Sequence, residues 1–185
     1  MTCPCGIDTD RRGRKRGYTV KRVIVIGCPG SGKSTFARAL REASGLPLYH
    51  LDMMYWNGDA TRVEHDVFLA RLKDALAGDE WIIDGNYNST MEMRLERCDT
   101  VFFLDYPVEV CLEGARQRRG KKRTDIPWIE PADSEDTEFI GFITRYREES
   151  RPRVLELLRV PADREIHVFT CREEAEGFLA GLRRE

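Results

Sequence analysis

Gly27-Cys28-Pro29-Gly30-Ser31-Gly32-Lys33-Ser34 fits the pattern G-x-x-x-x-G-K-[ST] in full, with an apolar run before it and a helical pattern after it. Each residue type has a physical reason to be there. Glycines at 27, 30 and 32 let the backbone turn with its N–H groups pointing inward, and Ser31 adds a further polar group to that nest for anionic oxygens. The N-terminus of the helix that begins near Lys33 contributes roughly half a positive charge. Lys33 supplies a full one, worth about 4 kcal/mol at 4 Å from a phosphate oxygen for an effective dielectric of 20. The hydroxyl of Ser34, followed by that of Thr35, suits Mg²⁺, which prefers oxygen ligands and phosphate groups. The chemistry this stretch can do is to hold a metal-bound polyphosphate.

A metal-bound triphosphate also needs a carboxylate at the end of a neighbouring strand. Asp84 in "WIIDGNY" and Asp105 in "VFFLDYP" each end an apolar run, where an acid is costly without a task or a partner. Asp84 is favoured for the Mg²⁺ waters because Gly85 behind it permits close approach by a ligand. Asp105 precedes Tyr106-Pro107, a strand-to-helix turn, and its competing role is only to cap the helix that starts after Pro107. Asp52 closes "PLYHLD", and a third acid on that edge could orient or deprotonate the hydroxyl of a phosphate acceptor; a helix cap or turn is the competing role. His50 reads as a packing residue.

The second half carries the cations. In "RQRRGKKR", residues 116–123, six of eight positions are basic, an acidic stretch follows, and "TRYREESRPR" then brings Arg145, Arg147, Arg151 and Arg153. Charge runs are usually solvated faces. Phosphoryl transfer, however, is mainly positioning and charge neutralisation, and a polar segment of about 30 residues, basic at its start, suits a closing lid over about 116–145. Arg147 and Arg151 share a face at i, i+4 if one helix runs over 136–158.

The elements that must position these groups alternate. Apolar runs at 22–26, 47–51, 81–83, 101–104 and 166–169 read as strands; 33–43, 64–77, 90–97, 107–119, 136–158 and 172–183 read as helices. Strands alternating with helices imply a parallel sheet covered on both faces, and strands with so little polar alternation suit burial on both sides. The chain of 185 residues suits one α/β domain, 19–185, behind a flexible basic tail, 1–18. A net charge of −2 sets up no molecule-wide field for nucleic acid or membrane. No apolar run approaches a membrane span, and the six scattered cysteines, with only Cys3 and Cys5 close together, point to a reduced, cytoplasmic protein without a zinc site. Nothing in the sequence fixes an oligomeric state.

Taken together, "GCPGSGKST", "LPLYHLDMMYW", "WIIDGNYNSTMEMRLERCDTVFFLDYP", "RQRRGKKR" and "FITRYREESRPRVLELL" resemble the adenylate-kinase-like P-loop small-molecule kinases, and most closely the bacterial group called DNA topology modulation proteins. The resemblance spans residues 22–158 and implies a P-loop NTPase three-layer sandwich with a five-stranded parallel sheet ordered 2-3-1-4-5. It implies ATP on residues 27–35, Mg²⁺ near Ser34 and Asp84, and a lid holding Arg116 and Arg123 over the phosphates. Arg172 would border the adenine, Arg147 and Arg151 would face the transferred phosphoryl group, and the acceptor would sit near Asp52, Trp56, Arg62, Asn86, Tyr87 and Arg94. One departure is specific. Adenylate kinases follow the aspartate-glycine pair with phenylalanine, proline and an arginine that grips AMP, whereas this chain reads Asp84-Gly85-Asn86-Tyr87-Asn88. Arg62 and Arg94 are the candidates to replace that grip.

The expected function is therefore an ATP-dependent phosphotransferase acting on a small molecule, with Mg²⁺ as cofactor and no nucleic-acid or membrane partner. The alternative is a nucleotide-binding regulator of DNA, acting through the seven basic residues among the twelve from Arg11 to Arg22. An acceptorless GTPase ranks last, because the chain has no N-K-x-D run.

Overall fold

The central apolar run, Arg22–Gly27, forms β1, and a computed structural model describes the chain over residues 20–129, 136–160 and 162–182. Val23, Ile24, Val25 and Ile26 in this strand are all fully buried, as a strand covered on both faces requires. β3 (Trp81–Asp84) pairs with one edge of β1 and β4 (Thr100–Leu104) with the other, both parallel. β2 (Leu48–His50) and β5 (Glu165–Phe169) complete a five-stranded parallel sheet in the order β2-β3-β1-β4-β5. This is the expected topology. Its strand order reverses beside β1, which opens a crevice beyond the strand's C-terminal end where the phosphate loop lies.

Helices cover both faces. α1 (Lys33–Ser44), α5 (Val108–Arg118), α6 (Thr137–Glu149) and α8 (Arg172–Leu182) pack on the side that carries Val23, Val25 and Phe102. α2 (Leu51–Tyr55), α3 (His65–Ala77), α4 (Met91–Leu95) and α7 (Arg151–Leu158) pack on the side of Ile24, Ile26, Ile83 and Phe103. Trp81, Phe102 and Phe103 are completely buried, each adding about 1.5–3 kcal/mol of apolar stabilisation. Phe36 of α1 meets Phe102 with ring centroids 5.0 Å apart, tying the first helix to the middle of the sheet.

Two boundaries differ from the sequence pattern. The helix expected over 136–158 is two helices, because Pro152 lacks an N–H and favours the first turn of a new helix; the chain breaks at Ser150. The i, i+4 relation between Arg147 and Arg151 therefore does not exist. The apolar run 47–51 contains only a three-residue strand, after which the chain enters α2 directly, so Asp52 lies in the first turn of a helix. The tail at 1–18 and part of the predicted lid, 130–135, lie outside the described residues. Among the described residues no helix is long and apolar enough to cross a membrane.

Candidate functional site

α1 starts from Gly32, whose φ of 93° only glycine adopts readily, and no side chain caps its first turn. Its leading N–H groups consequently face the mouth of the loop, as anion binding requires. Gly30 is required for another reason: a Cβ there would lie 1.9 Å from the Cys111 carbonyl oxygen of α5. Loop and helix touch backbone to backbone, and a Cβ on Gly114 would in turn meet the Gly30 oxygen at 2.1 Å. Lys33 rests its Nζ 3.4 Å from the Cys28 carbonyl, while the Ser31 hydroxyl is buried without a partner among the described residues.

Above the loop is a cleft of about 480 Å³. Gly30, Gly32, Lys33, Ser34, Thr35 and Arg38 form one wall; Gly114 and Arg118 of α5, with Lys121, Lys122, Arg123, Thr124 and Asp125 beyond it, form the other. The segment after α5 has no regular structure, yet it folds back so that Asp125 and Ile126 are buried.

Four carboxylates border this region and are held differently. Asp105 is locked by Arg151, whose Nε and Nη2 donate to it at 2.7 and 2.6 Å. Asp84 accepts from His50 Nδ1 at 2.8 Å through Oδ2, while its Oδ1 is buried without a partner among the described residues. Asp52 accepts from the Tyr87 hydroxyl at 2.7 Å. Burial holds the Asp52 carboxyl above the usual range, against the Tyr87 hydrogen bond and the Lys33 charge. Asp125 accepts from Arg123 on both oxygens, from Nε at 3.1 Å and from Nη2, lies 3.7 Å from Arg38 Nη1, and lines the cleft together with Ser34. Burial works to raise its pKa, but Arg123 and Ser34 outweigh that and hold it well below the ordinary carboxylate range. Asp105 and Asp125 have both oxygens taken by an arginine, whereas Asp84 keeps one buried oxygen without a partner among the described residues, a hard donor of the kind Mg²⁺ takes.

On the acceptor side the structure brings Asp52, Tyr87, Trp56 and Arg62 together. Arg62 lies over the Trp56 ring at 5.6 Å and pairs with that residue through a β-bridge. Trp128, from beyond the cation-rich segment, packs edge-on against Trp56 at 5.5 Å. Two predicted acceptor residues have other occupations. Asn86 turns back to the phosphate loop, accepting from the Gly27 N–H at 3.0 Å and donating to the Gly27 carbonyl at 2.7 Å. Arg94 is 0% exposed and donates to the carbonyls of Gly85, Asn86, Tyr87 and Thr90, so it shapes the loop after β3 from inside. Burial lowers its pKa to about 9.

The arginines also divide. Arg116 is exposed and absent from the cleft wall; Arg118, two residues and roughly 200° further round the helix, is the one that lines it. Arg123 lines the cleft as expected by position, Arg147 is exposed, and Arg172 reaches across α5 to the Val110 carbonyl at 3.4 Å, beside Gly114. His50, expected only to pack, instead holds Asp84, and Arg38, Arg118 and Asp125 were not singled out by motif reading. The R-x-D spacing of Arg123 and Asp125 was the one visible signal.

No family model matches the chain. Among curated proteins it is 29% identical over 109 residues to an adenylate kinase of Thermotoga maritima, covering 55% of this chain and 49% of that one. An adenylate kinase of Thermotoga petrophila is 31% identical over 88 residues, covering 46% and 39%. The chain thus spans about half, or less, of the length of these relatives. Among solved structures, a shikimate kinase from Bacteroides thetaiotaomicron superposes with a TM-score of 0.55 at 19% identity, over 90% of this chain and 98% of the other. A shikimate kinase from Aquifex aeolicus gives 0.54 at 21% identity, over 87% and 93%. A gluconokinase from Sinorhizobium meliloti gives 0.50 at 19% identity, over 89% and 92%. These likenesses establish a P-loop kinase-like fold.

Proposed function

We propose that this protein is an ATP-dependent phosphotransferase that moves the γ-phosphoryl group of Mg-ATP to a hydroxyl of a small acceptor. The observation that carries the reading is the juxtaposition of Asp52 with the phosphate loop. A half-buried carboxylate with a raised pKa lies in the field of Lys33, Asp84 and Asp125, with its Oδ2 taking no hydrogen bond among the described residues. A carboxylate with a raised pKa and one open oxygen suits a general base for an alcohol.

In this reading the loop N–H groups and Lys33 hold the phosphates, and Arg123 and Arg118 neutralise charge from the opposite wall. Ser34 and Asp84 Oδ1 would hold Mg²⁺, which would supply Lewis-acid neutralisation of the phosphate charge. Asp105 is the weaker metal candidate, since both its oxygens are committed to Arg151. Tyr87 orients Asp52, while Trp56 and Arg62 border the space left for the acceptor. With Arg94 sequestered, Arg62 is the remaining candidate for an acceptor phosphate. The similar adenylate, shikimate and gluconate kinases support the reaction class and leave the acceptor open.

The test is ADP release from Mg-ATP in the presence of nucleosides, nucleoside monophosphates, hydroxy acids and polyols. At least one class should stimulate release well above background, and Asp52→Asn should abolish that stimulation while ATP still binds. Stimulation by none of them, or its survival in Asp52→Asn, overturns the reading.

A further inference from the structure

The two acids that follow the strands flanking β1 are held by different kinds of donor. At Asp105 the fork of Arg151 covers both oxygens, Nε on one and Nη2 on the other. At Asp84 a single N–H covers one. His50 and Asp84 are direct neighbours across the parallel β2–β3 pair, each the last residue of its strand. Nδ1 of His50 lies 2.8 Å from Asp84 Oδ2, and because an ionised carboxylate only accepts, Nδ1 carries the hydrogen. The two side chains are 11% and 4% exposed, and Asp84 Oδ1 stays buried without a partner among the described residues. On its other edge β3 pairs with β1: Asp84 stands opposite Val25, and the Gly85 N–H donates to the Val25 carbonyl at 3.1 Å. The open oxygen therefore belongs to a side chain tied to β2 on one side, on a strand tied to the phosphate-loop strand on the other.

Resting on the phosphotransferase reading above, we propose that His50 is a positioning residue for the nucleotide's Mg²⁺: its one N–H anchors one oxygen of Asp84 and leaves the other open for the ion. That hydrogen bond also offsets part of the cost of burying the carboxylate. An arginine's fork would cover both oxygens, as it does at Asp105. A carboxylate that ligates a metal normally has such an outer partner, and losing the partner costs about 10–100-fold in metal affinity or activity. His50 then acts on ATP that carries Mg²⁺ and not on ATP alone. A residue that only packs between β2 and β3 would affect both forms alike.

Equilibrium binding of ATP, measured by titration calorimetry with the full chain at one fixed pH, in EDTA and again in excess Mg²⁺, separates these roles. The wild type should bind more tightly in Mg²⁺. In His50→Phe, which keeps a planar ring but has no N–H, that enhancement should fall by at least about fivefold, with metal-free ATP bound as before. His50→Asn, whose amide can place an N–H near the position of Nδ1, should keep most of the enhancement. His50→Leu carries the test if the phenylalanine variant does not fold. A smaller fall in the variants without a donor, an equal change in both conditions, or a loss in His50→Asn as large as in the others each overturns the proposal. So does a wild type indifferent to Mg²⁺. All of these leave the phosphotransferase reading in place, whereas failure of the wild type to bind ATP in either condition overturns both.

Discussion

Asn86 and Gly27 exchange two hydrogen bonds, an amide side chain closing on the backbone of the first phosphate-loop glycine at 3.0 and 2.7 Å. The loop after β3 thereby fixes where the glycine-rich loop begins.

Replacing Asn86 with alanine should remove about 1–3 kcal/mol of stability, since two buried backbone groups lose their partner. It should also weaken ATP binding several-fold through a misplaced loop. Asn86→Asp can still accept from the Gly27 N–H but cannot donate to its carbonyl, so it should fall between. Urea unfolding alongside ATP titration checks both.

Arg94 should behave as a structural residue. Arg94→Met strands carbonyl oxygens at residues 85, 86, 87 and 90, at a cost of about 3 kcal/mol or more. Arg94→Lys should rescue little, because one ammonium cannot reproduce the fork. A variant of normal stability with only a raised acceptor KM would contradict this assignment.

Asp52→Asn should lose about 10²–10⁴-fold in turnover yet gain stability at neutral pH. The sign follows from its raised pKa: between the ordinary value and the native one, the folded state holds the extra proton. Stability of the wild type therefore falls as pH rises through that window. The advantage of the asparagine variant should be full above the native pKa and shrink as pH drops toward the ordinary carboxylate range. Melting temperatures across pH measure it.

Lys33→Ala should reduce ATP affinity by at least about tenfold, given the Coulomb attraction of one charge to phosphate, while leaving melting little changed. In this structure Lys33 makes only a 3.4 Å contact with the Cys28 carbonyl, so its loss removes little from the fold itself.

The sheet was legible because buried parallel strands read as uninterrupted apolar runs, and the phosphate loop because its glycines and lysine must stand close together in sequence. What was not legible depends on direction. Nothing in "MEMRLER" tells that Arg94 turns inward under residues 85–90 rather than outward to a ligand. Arg116 and Arg118 are equivalent as letters and lie on different helix faces. Asn86 lies 59 residues from the glycine it holds, and Asp125 joins the lining of the cleft only because an irregular segment folds back. Pro152 was a visible break, yet the amphipathic spacing on both sides reads as one helix.

The backbone contact between Gly30 and helix α5 makes the phosphate loop and that helix one mechanical part. No side chain lies between them to absorb a displacement. From Gly114 to Arg118 is about one helical turn, roughly 6 Å of stiff rod. Any displacement of the loop is therefore shared by the backbone of α5, which carries Arg118 and leads into the basic segment.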